Sequence, residues 1–193
     1  MIAGLILAAG AGTRFGQESK LLAELDGRPL LEHAIRAQCA VGALEQVVVV
    51  LGAGADEVLR TVDLNRAQAV VCDDWSAGQA ASLRRGVAAL DQADKIVVTL
   101  GDAPRIIPEV IELFVAQPGG ARATYDGRPG HPVVLGREQI EGVRLLTGDR
   151  GARGLLGGGP LIECAQLCSG ADVDTPEDLE ALRAAGAPPP SSG

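Results

Sequence analysis

Ile2-Ala3-Gly4-Leu5-Ile6-Leu7-Ala8-Ala9-Gly10-Ala11-Gly12-Thr13-Arg14-Phe15-Gly16-Gln17-Glu18-Ser19-Lys20-Leu21-Leu22 begins as an apolar run and breaks into a glycine-rich turn. Ile2–Leu7 reads as a buried first strand, and Gly10 to Gly16 as the loop that leaves it. Small residues there expose successive backbone N–H groups, which can wrap a triphosphate without side-chain obstruction. Arg14 adds a forked donor and Lys20 a point charge. Lysine is scarce, because Lys20 and Lys95 are the only two among 17 basic residues. Two standard phosphate loops do not fit. GxxxxGK[ST] needs lysine directly after glycine, and Lys20 follows Ser19. G-x-G-x-x-G starting at Gly10 needs glycine where Phe15 stands.

Outward from this loop, apolar runs alternate with helix-period segments. Gln46–Leu51, Ala67–Cys72 and Lys95–Leu100 read as further strands, the first too continuous to be one-sided. Pro29–Ala40, Ala55–Val62, Gln79–Ala89 and Pro108–Val115 read as the helices between and after them. This order predicts an α/β fold: a Rossmann-like, doubly wound, mostly parallel sheet with helices on both faces and right-handed crossovers. Ligands in such sheets sit beyond the carboxyl ends of strands, and unusual segments follow Leu7, Cys72 and Leu100. Past residue 116, Ala121–Tyr125 and His131–Leu135 read as strands around a turn, and Leu161–Leu167 as a late strand. Arg137–Leu146 and Gly151–Leu156 read as helical. Asp174-Thr175-Pro176-Glu177-Asp178 starts a last helix to about Ala185, with Asp174 a candidate cap. The expected organisation is one domain over 1–185, with a nucleotide-binding half to about 116 and an acceptor half from about 117. The tail 186–193 is expected to be flexible.

The 193 residues are 47% hydrophobic and carry a net charge of −8, with 2% aromatics. That surface argues against nucleic-acid and anionic-membrane partners, whose binding rests on phosphate neutralisation. No run reaches the roughly 18 to 20 apolar residues of a membrane span. No basic segment precedes Ile2, so no signal peptide and a cytoplasmic location are expected. Cys39, Cys72, Cys164 and Cys168 lack zinc spacing and read as reduced thiols, with a Cys164–Cys168 link as the alternative.

Leu7-Ala8-Ala9-Gly10-x-Gly12-Thr13-Arg14-Phe15-Gly16-x(3)-Lys20-Leu21-Leu22 resembles the signature of the MobA-like NTP transferases. The likeness continues in order through Trp75–Leu83, Leu100-Gly101-Asp102-Ala103-Pro104, Gly130-His131-Pro132, Gly148–Arg153 and Asp172–Leu179, to about residue 185. Within that family the chain is most similar to the group that makes molybdopterin dinucleotide cofactors. Its Gly-x-x-Ser-Leu, Gly-His-Pro and Gly-Asp-x-Gly-Ala-Arg blocks resemble the molybdenum cofactor cytidylyltransferase branch. Phe15 and Ala103 depart from the family pattern, each standing where methionine is usual.

The resemblance implies a Mg²⁺-dependent nucleotidyltransferase that moves CMP from CTP to the phosphate of molybdopterin and releases pyrophosphate. Arg14, Lys20 and Asp102 would be catalytic, the cations on the triphosphate and Asp102 on the metal. The nucleotide would meet Leu7, Ala8, Ala9, Gly10, Gly12, Arg14, Lys20, Gly78, Gln79, Ser82 and Asp102. A second metal ligand would come from Asp172 or Asp174, which alternate to one side of an extended stretch. The acceptor would meet His131, Asp149, Arg150 and Arg153. The family also implies a molybdoenzyme or insertion-chaperone partner. GTP in place of CTP, another phosphorylated acceptor, or a non-catalytic cofactor-binding factor are the alternatives. A nicotinamide dehydrogenase fits less well, since Gly52-Ala53-Gly54 follows the second strand where an acidic residue is needed.

Overall fold

The computed structural model describes residues 1–16, 19–149 and 151–186. Nine strands and six α-helices follow in chain order: β1 Ile2–Ala8, β2 Glu24–Leu25, β3 Arg28–Pro29, α1 Leu30–Ala40, β4 Gln46–Leu51, α2 Ala55–Thr61, β5 Gln68–Val71, α3 Gln79–Ala89, β6 Lys95–Leu100, α4 Pro108–Val115, β7 Arg122–Tyr125, β8 Arg128–Leu135, α5 Arg137–Val143, β9 Leu161–Glu163 and α6 Pro176–Ala185. Seven strands form one sheet, ordered β5-β4-β1-β6-β8-β7-β9. Only β8 runs against the rest, pairing antiparallel with β6 and β7. This is the mostly parallel α/β sheet expected from the sequence.

Successive residues of each strand serve opposite cores, which explains the uninterrupted apolar runs. Ile6, Val49, Val97 and Val134 face the core with α1, α2 and α4. Leu5, Val48, Val98 and Val133 face the core with α3 and α5. Gly4 lets Gln38 of α1 lie flat on β1, where Gln38 Nε2 donates to the carbonyls of Leu5 and Val97 and to Thr99. A Cβ on Gly4 would lie 1.8 Å from Gln38 Oε1.

Several boundaries differ from the sequence expectation. Pro29 belongs to a two-stranded hairpin, β2–β3, which no periodicity announces because each strand has two residues. α5 ends at Val143, and residues 152–155 form a single 3₁₀ turn in place of a short helix. β9 stops at Glu163 because the chain turns there to use Glu163 as a hub. All four cysteines are free. No described helix is long and apolar enough to cross a membrane. The tail 187–193 lies outside the described residues.

Glu163 accepts hydrogen bonds from Thr124 Oγ1 and from the amides of Asp126, Gly127 and Ala165. It fixes the β7–β8 turn, where Asp126 and Gly127 both take positive φ. These donors hold its carboxyl down at about 2, against 4.5 for a free glutamate. A depressed folded pKa contributes stability that is complete above the unfolded value and is lost as pH falls toward the folded one. Glu163→Gln is therefore expected to lower the urea midpoint at pH 7, and the gap to wild type is expected to close between pH 4.5 and 2. A gap constant across that range contradicts the assignment.

Candidate active site

The carboxyl ends of β1 and β6 lie side by side, with the Gly101 amide donating to the Leu7 carbonyl at 2.9 Å. β1 lies between β4 on one side and β6 on the other, so the chain leaves it in one direction and later returns on the opposite flank. That is where an open α/β sheet leaves a crevice. Beyond β1, Gly12 adopts φ 60 and turns the chain into a short 3₁₀ segment, Thr13–Phe15. Phe15 is buried against Leu25, Leu30, Val173 and Leu179. Each such burial contributes roughly 1.5–3 kcal/mol, enough to pin the loop that carries Arg14 to the segment that carries Asp172 and Asp174.

That segment crosses the end of β6, where the Val173 amide donates to the Asp102 carbonyl at 2.8 Å. Val173 turns into the small core, so its two acidic neighbours turn away from it. Thr175, not Asp174, caps α6: its side chain accepts from the Asp178 amide, and Asp178 Oδ2 accepts from the amides of Asp174 and Thr175. Asp174 is thereby left to pair with cations.

The charged groups form one chain of contacts. Lys20 Nζ lies 2.6 Å from Asp102 Oδ2 and 3.3 Å from Asp174 Oδ1. Arg14 Nη2 lies 2.9 Å from Asp174 Oδ2. Burial disfavours the Lys20 ammonium, but the two carboxylates outweigh it and raise its pKa above the ordinary lysine value. Asp102 Oδ1 is buried and has no hydrogen-bond partner. Asp172 opens onto the cleft, where enclosure, and then the charges of Asp102 and Asp174, raise it to about 6. Among the described residues no three or more His, Cys, Asp or Glu side chains are grouped so as to hold a metal ion. The unpartnered buried oxygen of Asp102, in a carboxylate that shares Lys20 with Asp174, nonetheless fits one ligand of a hard divalent cation, with Lys20 supplying the countercharge here.

A cleft of about 590 Å³ extends from this cluster. Of the nucleotide residues expected from the sequence, Leu7, Ala9, Gly10, Gly78, Gln79, Ser82 and Asp102 line it. Ala8 sits behind the wall, within contact of any Cβ on Gly101, and Gly12 backs onto Lys20. Arg14 and Lys20 join through Asp174 and Asp102. Of the acceptor residues, His131, Asp149 and Arg153 line the same cleft, and so does Asp172. Arg150 lies outside the described residues. Gly78 has φ 110 and supports the loop opposite: the Ala80 amide donates to the Gly148 carbonyl at 3.1 Å.

Trp75 and Arg122 also line the cleft and were not singled out from the sequence. Trp75 is the only tryptophan, and it follows the strand-end acidic pair Asp73-Asp74. Arg122 opens β7, between Ala121 and Ala123. Arg84 and Arg85 bind the Leu146 and Val71 carbonyls, which makes them local ties. Burial, and then the Arg122 charge, press His131 down to about 4, so its imidazole is neutral at physiological pH.

The model of the MobA-like NTP transferase domain matches residues 4–165. Nicotine blue oxidoreductase of Paenarthrobacter nicotinovorans is 36% identical over 196 residues, spanning 94% of this chain and 96% of that protein. The crystal structure of Rv0371c from Mycobacterium tuberculosis H37Rv superposes with a TM-score of 0.82 at 30% identity, covering 95% of this chain and 97% of that one. The same protein in complex with manganese gives 0.79 at 28% identity, covering 96% and 99%.

Proposed function

The chain belongs to the MobA-like NTP transferase family, and from that premise we propose that it transfers CMP from CTP to the phosphate of molybdopterin, releasing pyrophosphate. The observation that carries this reading is the Arg14–Asp174–Lys20–Asp102 network at the adjoining ends of β1 and β6, with one Asp102 oxygen left unpartnered. A phosphate oxygen of the acceptor attacks the α-phosphorus; the bond to the bridging oxygen of the β-phosphate breaks, and its electron pair leaves with pyrophosphate. Such a reaction needs positioning and charge neutralisation more than covalent chemistry. Arg14 and Lys20 exchange carboxylate partners for phosphates as the nucleotide enters. The loop from Ala9 to Ala11, exposed at Gly10 and Ala11, offers its backbone to the nucleotide, and Gly78, Gln79 and Ser82 form the facing wall. Asp102, with Asp172 or Asp174, would hold Mg²⁺, which neutralises charge at the α-phosphate; the manganese complex of Rv0371c supports a divalent ion in this family. His131, Asp149 and Arg153 are assigned to the acceptor, and residues 1–116 and 117–185 to the two substrates respectively.

One observation favours a second reading. A relative sharing 36% of its residues over nearly the whole chain is named an oxidoreductase. In that reading the cleft binds an electron-carrying nucleotide such as a nicotinamide. The turn after β4 opposes it, because a Cβ on Gly52 would lie 2.4 Å from the Ala9 carbonyl oxygen, leaving no room there for an acidic side chain. Incubation with each of the four NTPs, Mg²⁺ and molybdopterin, followed by mass analysis, separates the readings. The expected product is the cytidine dinucleotide plus pyrophosphate. Equal use of CTP and GTP refutes the cytidylyl assignment, and loss of reduced-nicotinamide absorbance without pyrophosphate release favours the oxidoreductase.

A further inference from the structure

Arg122 is out of keeping with its row in the sheet. Val48, Leu5, Val98, Val133 and Arg122 are successive neighbours in register across β4, β1, β6, β8 and β7. The first four are buried in the core that α3 and α5 cover. Ala121 and Ala123 on either side of Arg122 face the opposite core, so the guanidinium is committed to the cleft face.

Nothing in the fold requires a cation there. The one hydrogen bond it makes among the described residues is from Nε to the Gly130 carbonyl, at 3.4 Å. Burial, and then the like charge of Arg153, lower its affinity for a proton. A half-buried guanidinium next to another cation is unfavourable unless an anion joins them. His131, neutral beside it, supplies no countercharge. The pair enters the cleft from a different part of the sheet than the cations assigned to the triphosphate. β7 is three places from β1, roughly 14 Å between strand axes at ~4.8 Å per strand, and long side chains reaching into the shared cleft narrow that gap. Between them, Val133 and Leu156 give the cleft an apolar bed.

We propose that Arg122 and Arg153 form a clamp for a phosphomonoester, the group through which the acceptor reacts. A phosphomonoester carries about −1.5 to −2 charges at pH 7. Two guanidiniums can grip it through paired N–H donors and aim one of its oxygens along the cleft. Arg122 is then a specificity-determining residue, selecting phosphorylated acceptors over their alcohols. The clamp depends on the transfer reading only for what the phosphate is attached to.

Phenyl phosphate tests the clamp apart from that reading, by calorimetric titration of the full chain. Wild type is expected to bind it, Arg122→Gln at least tenfold more weakly, and Arg122→Lys in between. CTP affinity, followed through Trp75 fluorescence, is expected to stay within twofold in both variants. In turnover assays with molybdopterin, Arg122→Gln is expected to raise the acceptor KM tenfold or more and leave the CTP KM unchanged. Wild type that does not bind phenyl phosphate overturns the clamp, as does Arg122→Gln binding it normally or losing CTP in parallel. Absence of CMP transfer by wild type with phenyl phosphate binding intact overturns the transfer reading and leaves the clamp standing.

Discussion

Lys20→Ala is expected to reduce nucleotidyl transfer about 10²–10³-fold, the typical effect of removing one preorganised charge from the transition state. In the resting structure the Lys20 ammonium bridges Asp102 and Asp174 and is itself largely shielded from water. Removing it has two consequences that pull apart. The α-phosphate loses its point charge, so turnover falls. The carboxylates of Asp102, Asp172 and Asp174 lose their nearest cation and repel one another, so a divalent ion should bind the variant more readily. Mg²⁺ or Mn²⁺ is therefore expected to raise the melting temperature of Lys20→Ala more than that of wild type.

Asp102→Asn separates the roles. It is expected to lose turnover as severely and also to lose the metal-induced rise, because the unpartnered buried oxygen is no longer anionic. The assay uses the NTP and acceptor identified by mass analysis, and the melting curves need neither. Wild-type turnover in Lys20→Ala would remove Lys20 from the chemistry. Identical metal responses in wild type, Lys20→Ala and Asp102→Asn would remove the metal from this cluster.

Much of this site could be read from the chain because it is built from sequence-local signals on a regular frame. A buried strand followed by Gly10–Gly16, and another followed by Gly101-Asp102, place their loops together once the sheet is parallel. That Asp172 and Asp174 face one way follows from alternation in an extended stretch, while their place near the metal is what the family resemblance implies. The choice of cap could not be read this way. Asp174 and Thr175 are both good caps, and what settles the matter is Asp178, which accepts from two backbone amides and leaves Asp174 free. Arg122 was missed for a different reason. Its meaning comes from the row of residues beside it, and that row is assembled from β1, β4, β6 and β8 by sheet order, which one strand cannot reveal. The β2–β3 hairpin was missed because two-residue strands have no period to detect. Its importance is tertiary: Leu25 of β2, with Leu30 at the start of α1, builds the small core that holds Phe15 and Val173.

Gly78→Ala is expected to be the most damaging single methyl that can be added to the cleft. Gly78 has φ 110 and ψ 176, a region costly for any residue with a Cβ, by roughly 1–3 kcal/mol. The new Cβ would also lie 2.6 Å from the backbone carbon and oxygen of Gly148 and from Asp149 Oδ1. Backbone cannot swing aside as a long side chain can. The loop would be pushed from α3, breaking the hydrogen bond from Ala80 to Gly148 and displacing Asp149 and the nearby Arg153. A loss of about 3 kcal/mol corresponds to a fall of roughly 6–12 °C in melting temperature for a chain of this size. Because Gly78 joins the wall proposed for the nucleotide to the loop proposed for the acceptor, KM for both substrates is expected to rise together, unlike the one-sided effect at Arg122. Gly42→Ala is the matched control: no atom lies within 4 Å of its Cβ position and its φ is not positive, so its melting temperature should stay near that of wild type. Gly78→Ala melting and turning over like Gly42→Ala would mean that the 146–149 loop does not rest on α3, and that the two halves of the cleft are not joined there.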